Sequence, residues 1–398
     1  MLSVDEVWKL IDERVRPLAP RITPLAESAG LALGEALIAE ADQPASDLSA
    51  MDGYAVAEDS EPGMFRLVGN TPPGMAPAQT PKPREALRVF TGSALPPGVK
   101  VVMQEDVVVE SHFIQIQTMH RAGHVRRRGA TAKRGQILLP SGTALHPAEL
   151  GILASNGIVS PLVFPRPRIA HLTTGSEVVP PTSQPAEGQV RNANAALIQA
   201  LADEAGAEVV AHSHCGEALD VALGICKTQS FAGSDVLIVS GGASVGDHDH
   251  TAEIFEKLGC EWLCKKVAIR PGKPLLIGLR EGQVVIGLPG NPVSHFVTFH
   301  LFVRRILAHL SNQRVAPLAT ARLNDPENIL EPGKLETWWP ALWSLRVGIA
   351  EISPKSWLHS GHLSALAGSN ALLKIPTGPL PLETATFLPC GEPVILDA

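Results

Sequence analysis

Residues 166–312 repeat one pattern that restricts the possible folds more than anything else in the chain. A short apolar run ends in a turn stripped to small residues, and a helix-forming stretch follows. Strands are expected at 168–172, 208–211, 235–239 and 284–288, and helices at 190–205, 217–229, 251–258 and 293–309. Asn192 or Asn194 is placed to cap the first of these helices. Runs at 267–269 and 275–279 read as an antiparallel pair. Strands joined by crossover helices leave few topologies, and the expected one is a doubly wound α/β sheet with helices on both faces. Ligands of such sheets bind outside the carboxyl ends of the strands.

Around this region the character of the sequence changes. Apolar residues at 4, 7, 8, 11 and 15 mark an opening helix. The stretch 27–41, rich in Ala, Leu and Glu, reads as a second helix after Pro17, Pro20 and Pro24, and 146–156 reads as a third. Short β-type runs at 65–68, 87–90 and 99–103, and the alternation at 113–117, lie between Pro- and Gly-rich turns. The expected organisation is multidomain α/β plus β. A discontinuous helical linker domain takes 1–43 and 136–165, and a small β domain at 44–135 is inserted in it. The α/β domain follows at 166–314 and a C-terminal β domain at 315–398. Trp338, Trp339 and Trp343 fall in the last of these, either as a small core or as a stacking platform.

Composition narrows the functional classes. At 398 residues the chain exceeds one ordinary core, and 45% hydrophobic residues rule out disorder by composition. A formal charge of −7 gives no overall basic field for nucleic acid or anionic lipid. No uncharged apolar stretch reaches about 18 residues, so no membrane span is expected. The charged, amphipathic start does not resemble a secretory signal. Five scattered cysteines fit a reducing cytoplasm better than a disulfide framework. Cys260 and Cys264 lack a second pair at zinc spacing.

Four turns carry the candidate chemistry: Thr173-Thr174-Gly175-Ser176-Glu177, Ser240-Gly241-Gly242-Ala243-Ser244-Val245-Gly246, Arg270-Pro271-Gly272-Lys273-Pro274 and Pro289-Gly290-Asn291-Pro292-Val293-Ser294. Glycines let a ligand approach the main chain, helix N-termini present amides, small hydroxyls add donors, and Arg270 and Lys273 add charge. Together they describe a cradle for phosphate or another oxyanion. Behind it stand Asp247, His248, Asp249 and His250. The aspartates read as helix caps or as oxygen ligands for Mg²⁺ beside bound phosphates; the histidines offer a rival transition-metal site. A second cluster, Ser49-Ala50-Met51-Asp52-Gly53-Tyr54, holds the only tyrosine, and Thr91-Gly92-Ser93 follows as another small-residue turn.

These motifs, with "SAMDGYAV" at 49–56, "FTGSALPPG" at 90–98, "VSGGASVGDHD" at 239–249, "IRPGKP" at 269–274, "GLPGNPVS" at 287–294 and "SGHLSALAGSNALL" at 360–373, resemble the MoeA/gephyrin E-domain family, the molybdopterin molybdenumtransferases. The resemblance runs in order over nearly the whole chain. It implies an elongated subunit with a molybdopterin-binding α/β domain, a homodimer, and a reaction that inserts molybdate into adenylyl-molybdopterin with release of AMP, assisted by Mg²⁺. It implies a molybdopterin adenylyltransferase upstream and molybdoenzymes or their chaperones downstream. By the same resemblance Asp52, Asp249 and Lys273 are the catalytic candidates, and Asp52, Asp247 and Asp249 the metal ligands. Thr91, Gly92, Thr174, Gly175, Glu177, Ser240, Gly241, Gly242, Ser244, Gly246, Arg270, Pro274, Pro289, Gly290, Asn291, Pro292, Ser294 and Lys334 are the binding residues. The chain departs from the family pattern at Ala130-Thr131 and Gly216-Glu217, where acids are usual, at Arg270 and Lys334, where lysine and arginine are usual, and at His250, where tyrosine is common. The lost acids support an alternative: a slow or non-catalytic relative that binds molybdopterin or molybdate.

Overall fold

A computed structural model describes residues 1–77, 79–120, 123–241, 250–329, 333–378 and 383–396. The chain divides into two compact units, one of residues 1–34, 144–146 and 160–398, the other of 35–143 and 147–159.

The first unit opens with α1 (Val4–Arg14). Its start is a capping box: Glu6 N–H donates to Ser3 Oγ at 3.2 Å, and Ser3 N–H donates to the Glu6 carboxylate at 2.7 Å. The second helix expected over 27–41 does not form. A 3₁₀ turn at Leu25–Glu27 leads instead to the two-residue strands Ala32–Leu33 and Leu37–Ile38. Helix-favouring composition loses here to strand pairing, since Ala32 and Leu33 are buried against Leu162–Phe164, and Gly30 at φ +76° turns the chain where a helix would continue.

The second unit is built on a six-stranded sheet of β1 (Gly53–Ala57), β2 (Gly63–Thr71), β3 (Glu85–Val89), β4 (Val99–Met103), β5 (Val107–Glu110) and β6 (Phe113–Ile116), in the order β4-β1-β3-β2-β6-β5. Tyr54, Val56, Phe65, Val102, Ile114 and Ile116 fill one of its faces. The helix α2 (Pro147–Ser155) belongs to the same unit.

Back in the first unit, a mixed sheet forms from β7 (Arg168–Thr174), β8 (Glu208–Cys215), β9 (Val236–Ser240), β10 (Glu261–Cys264), β12 (Leu276–Arg280) and β13 (Gln283–Leu288). The short strand β11 (Ile269–Arg270) leaves it. The order is β8-β7-β9-β13-β12-β10, with the first four strands parallel. Alternation along β9 shows why both faces are covered. Val236 and Ile238 join a core with α1, α3 (Ala193–Glu204), α6 (Pro292–Thr298) and α7 (Arg304–Leu310), while Leu237 and Val239 join one with α4 (Leu219–Cys226) and α5 (His250–Lys257). Helices α6 and α7 run on through a π-turn at Phe299–Val303.

The antiparallel pair expected from 267–269 and 275–279 is also corrected. β12 pairs with β10 and β13, and β11 pairs in parallel with Glu336–Thr337. Pro271 and Pro274 lack the N–H groups that a ladder across the 270–274 turn would need. The last region is a closed barrel of β14 (Ala319–Leu323), β15 (Glu336–Arg346), β16 (Ile349–Pro354), β17 (Ala371–Ile375) and β18 (Thr384–Pro389), closed through β15–β17, with β11 and β19 (Val394–Leu396) added on β15. Trp338 and Trp339 are buried in it, and their indole N–H groups donate to Glu336 Oε1 at 2.8 Å and the Lys355 carbonyl at 2.7 Å. The indoles are core, not a stacking platform.

Candidate functional site

Strands β7, β9 and β13 are parallel neighbours, so their carboxyl ends share one edge of the sheet. Three of the four turns meet there. Thr173, Thr174, Glu177, Asn192, Asn194, Ser240, Gly241, Gly290, Asn291 and Pro292 line a cavity of about 520 Å³. Gly241 makes this meeting possible: its φ is +95°, and a Cβ would stand 2.5 Å from the Thr174 carbonyl oxygen. The fourth turn lines an adjacent cavity of about 530 Å³ with Arg270, Gly272, Lys273 and Pro274, together with Pro289, Ser294, Trp357, His359 and Ser360. Gly290 and Asn291 belong to both walls.

The two cavities differ in charge. Arg270 lies 5.6 Å from the centre of the Trp357 ring, and among the described residues neither it nor Lys273 has a carboxylate partner. The polar wall around Ser240 is made of hydroxyls, side-chain amides and two exposed charges of opposite sign, Glu177 and Arg191. A smaller cavity beside it places Glu177 and Glu217 with Gly175, Gly216 and His250.

Three of the turn amides that could face an anion are engaged within the protein. Gly241 N–H donates to the Leu288 carbonyl at 3.2 Å, Gly175 N–H to Cys215 at 3.2 Å, and Val293 N–H to Ser360 at 3.1 Å. Pro292, the first residue of α6, has no N–H. These three amides hold the protein together, and Arg270 and Lys273 in one cavity and Arg191 in the other add positive charge.

A buried polar chain lies under the first cavity. His171 Nε2 is 2.7 Å from Ser240 Oγ, which is 2.7 Å from His295 Nε2. Burial holds His295 down at about 4 and His171 well below the usual imidazole range, so both rings are neutral near pH 7. Asn192 caps α3 by accepting from Ala195 N–H at 3.1 Å, and its Nδ2 donates to Thr173 Oγ1 at 3.0 Å.

Other predicted residues fall elsewhere. Lys334 is exposed and lines neither cavity. Asp52, Thr91 and Gly92 belong to the second unit, where Asp52 Oδ1 accepts from Thr91 N–H at 2.7 Å and Thr91 Oγ1 at 2.9 Å. The Thr91 amide, with the hydroxyl second, holds the Asp52 carboxyl below its ordinary range. Gly242, Ser244, Gly246, Asp247, His248 and Asp249 lie outside the described residues. Sequence reasoning missed Asn192 and Asn194 as wall residues because it took them only as caps, and it missed Trp357, His359 and Ser360, which carry no local spacing signal.

Two family models match the chain: "MoeA N-terminal region (domain I and II)" over residues 2–157 and "Probable molybdopterin binding domain" over 170–309. The molybdopterin molybdenumtransferase of Nostoc sp. is 34% identical over 370 residues, covering 89% of this chain and 83% of that protein. The molybdopterin molybdenumtransferase 2 of Mycobacterium tuberculosis is 33% identical, covering 98% of both. The chain belongs to the MoeA family. Two solved MoeA structures from Pyrococcus horikoshii share the MoeA fold of this chain, with TM-scores of 0.81 and 0.79 at 24% and 25% identity; each comparison covers 98% of this chain and 100% of the other. The two cavities are thus features of a MoeA chain similar to its relatives from end to end.

Proposed function

We propose that the protein is a molybdopterin molybdenumtransferase, inserting molybdate into adenylyl-molybdopterin with release of AMP in molybdenum cofactor biosynthesis. One observation carries the reading: a polar cavity and a cationic cavity share the Gly290–Asn291 wall. A tetrahedral dianion suits the compact ammonium of Lys273 beside Arg270. The heterocycle-bearing substrate then occupies the polar cavity, so that oxyanion and dithiolene meet at the common wall. The slow or non-catalytic alternative is not favoured, since relatives covering 83% and 98% of their own lengths are molybdenumtransferases by name.

Magnesium is part of this proposal. Asp249, Asp247 and Asp52 are hard oxygen donors of the kind Mg²⁺ takes, and Asp52 fits the role because Thr91 keeps its carboxyl ionised. The ion would neutralise phosphate oxygens. Among the described residues no three His, Cys, Asp or Glu side chains cluster as a metal site. The homodimer also belongs to the proposal, as do supply by an adenylyl transfer onto molybdopterin and delivery to molybdoenzymes or their chaperones. Five cysteines, none in a disulfide, support a cytoplasmic location, and no helix among the described residues is long and apolar enough to cross a membrane.

The test is to give the purified protein adenylyl-molybdopterin, molybdate and Mg²⁺ and follow AMP. Molybdate-dependent release is expected. Binding without release, or release indifferent to molybdate, overturns the assignment.

A further inference from the structure

Ser240 closes β9, His171 stands two residues before the Thr173–Thr174 turn, and His295 follows Ser294 in α6. One hydroxyl therefore joins the three strand-end turns that wall the polar cavity. All three side chains are buried, at 2%, 1% and 0% exposure. Packing alone does not require this. A valine or alanine would fill the last position of a buried parallel strand without a polar group to satisfy.

The protons of the chain have one consistent order. His295 Nδ1 faces the Asn291 carbonyl at 3.3 Å, and a carbonyl only accepts. Nδ1 therefore carries the hydrogen, and in a neutral ring Nε2 is a bare lone pair. Ser240 must donate to it. A serine has one proton, so toward His171 it accepts, and His171 carries its hydrogen on Nε2. His212, with its ring 5.2 Å from that of His171, is the remaining titratable neighbour, and burial with His214 beside it lowers its pKa too. The Asn291 carbonyl also accepts the His295 main-chain N–H at 3.1 Å, and the Ser240 carbonyl accepts Thr174 Oγ1 at 3.4 Å. Both ends of the chain are thus tied into turns that face the ligand.

We infer that Ser240 is a positioning residue: its hydroxyl, fixed between His171 and His295, locks the three turns of the polar cavity and offers the bound ligand no proton. The ligand's phosphate or oxyanion groups must find donors elsewhere. This rests on the reading of that cavity as the adenylyl-molybdopterin site.

Two measurements test it. Long-range ¹H–¹⁵N spectra of the wild-type protein near pH 7.5 should show His295 protonated on Nδ1 and His171 on Nε2. A His295 ring protonated on Nε2 overturns the proton order, because Ser240 would then be an acceptor there. Calorimetry with AMP alone and with molybdate alone gives the second test. Ser240→Ala should weaken AMP roughly tenfold, the scale of one lost hydrogen bond, and leave molybdate affinity within about twofold. Ser240→Thr, which keeps the hydroxyl, should restore AMP binding. Unchanged AMP affinity in Ser240→Ala, or equal losses for both ligands, overturns the positioning role. A wild type that binds no AMP overturns the underlying reading of the cavity instead, and the spectra still decide the proton order.

Discussion

At the scale of single residues, the buried histidines set how the protein responds to acid. His295 titrates at about 4 and His300 at about 3, both displaced by burial from the usual 6.5. Their unfolded forms take up protons first as pH falls. The stability they contribute is therefore complete above about pH 6.5 and is lost progressively toward pH 4 for His295 and pH 3 for His300. At the acid end the displacements correspond to at most about 3 kcal/mol for His295 and about 5 kcal/mol for His300. Urea titrations at pH 7.5, 6 and 5 should show this steep loss. Both ring nitrogens of His300 lack a hydrogen-bond partner among the described residues. His300→Leu should be close to neutral at pH 7.5 and stabilising at pH 5; equal effects at both values would mean that the ring does not titrate as burial dictates. Lys273 stands in the cationic wall, so Lys273→Ala should weaken molybdate about tenfold or more, as loss of a charged hydrogen-bond partner does. An unchanged molybdate affinity would remove it from the site. Asp249→Asn should abolish AMP release while His248→Ala remains mild; the reverse ranking would favour the histidine metal site.

At the scale of elements, the sequence was most legible where a strand is buried on both faces. Val236 to Val239 could hardly be anything other than an interior strand, and the helices predicted after it exist. It was least legible where distant pairing decides the outcome. Nothing local in 27–41 announces that Ala32–Leu33 will pair with Leu162–Phe164. Nor does Ile269–Arg270 declare a partner in Glu336–Thr337. The candidate site divides in the same way. Turn motifs marked Thr174, Ser240, Lys273 and Asn291, while Trp357 and His359 reach the cationic wall only through the fold of the barrel. The Met-Asp-Gly-Tyr stretch shows a hidden requirement. It reads as a turn, but Gly53 begins β1, and a Cβ there would lie 2.0 Å from the Val102 carbonyl oxygen. Gly53→Ala should force β1 and β4 apart and cost about 1–3 kcal/mol, the scale of an overpacked core. Urea denaturation would measure it, and a neutral result would show that β4 can shift freely.

At the scale of the whole molecule, sedimentation should find a particle of twice the chain mass if the proposed homodimer forms. A monomer at all concentrations would remove the dimer from the proposal. Another consequence comes from the way the barrel is built. Its strand β15 is extended by β11, a strand belonging to the α/β half of the chain, and β11 carries Arg270. The C-terminal barrel is therefore not an interchangeable module. A chimera that takes residues 315–398 from a relative would place a foreign β15 against a native β11, and it should misplace the guanidinium even if both halves are well folded. Grafts that carry 269–274 along with the barrel should keep their oxyanion affinity where simple tail swaps lose it, so recombination among such chains is expected to succeed at crossovers that respect this shared strand.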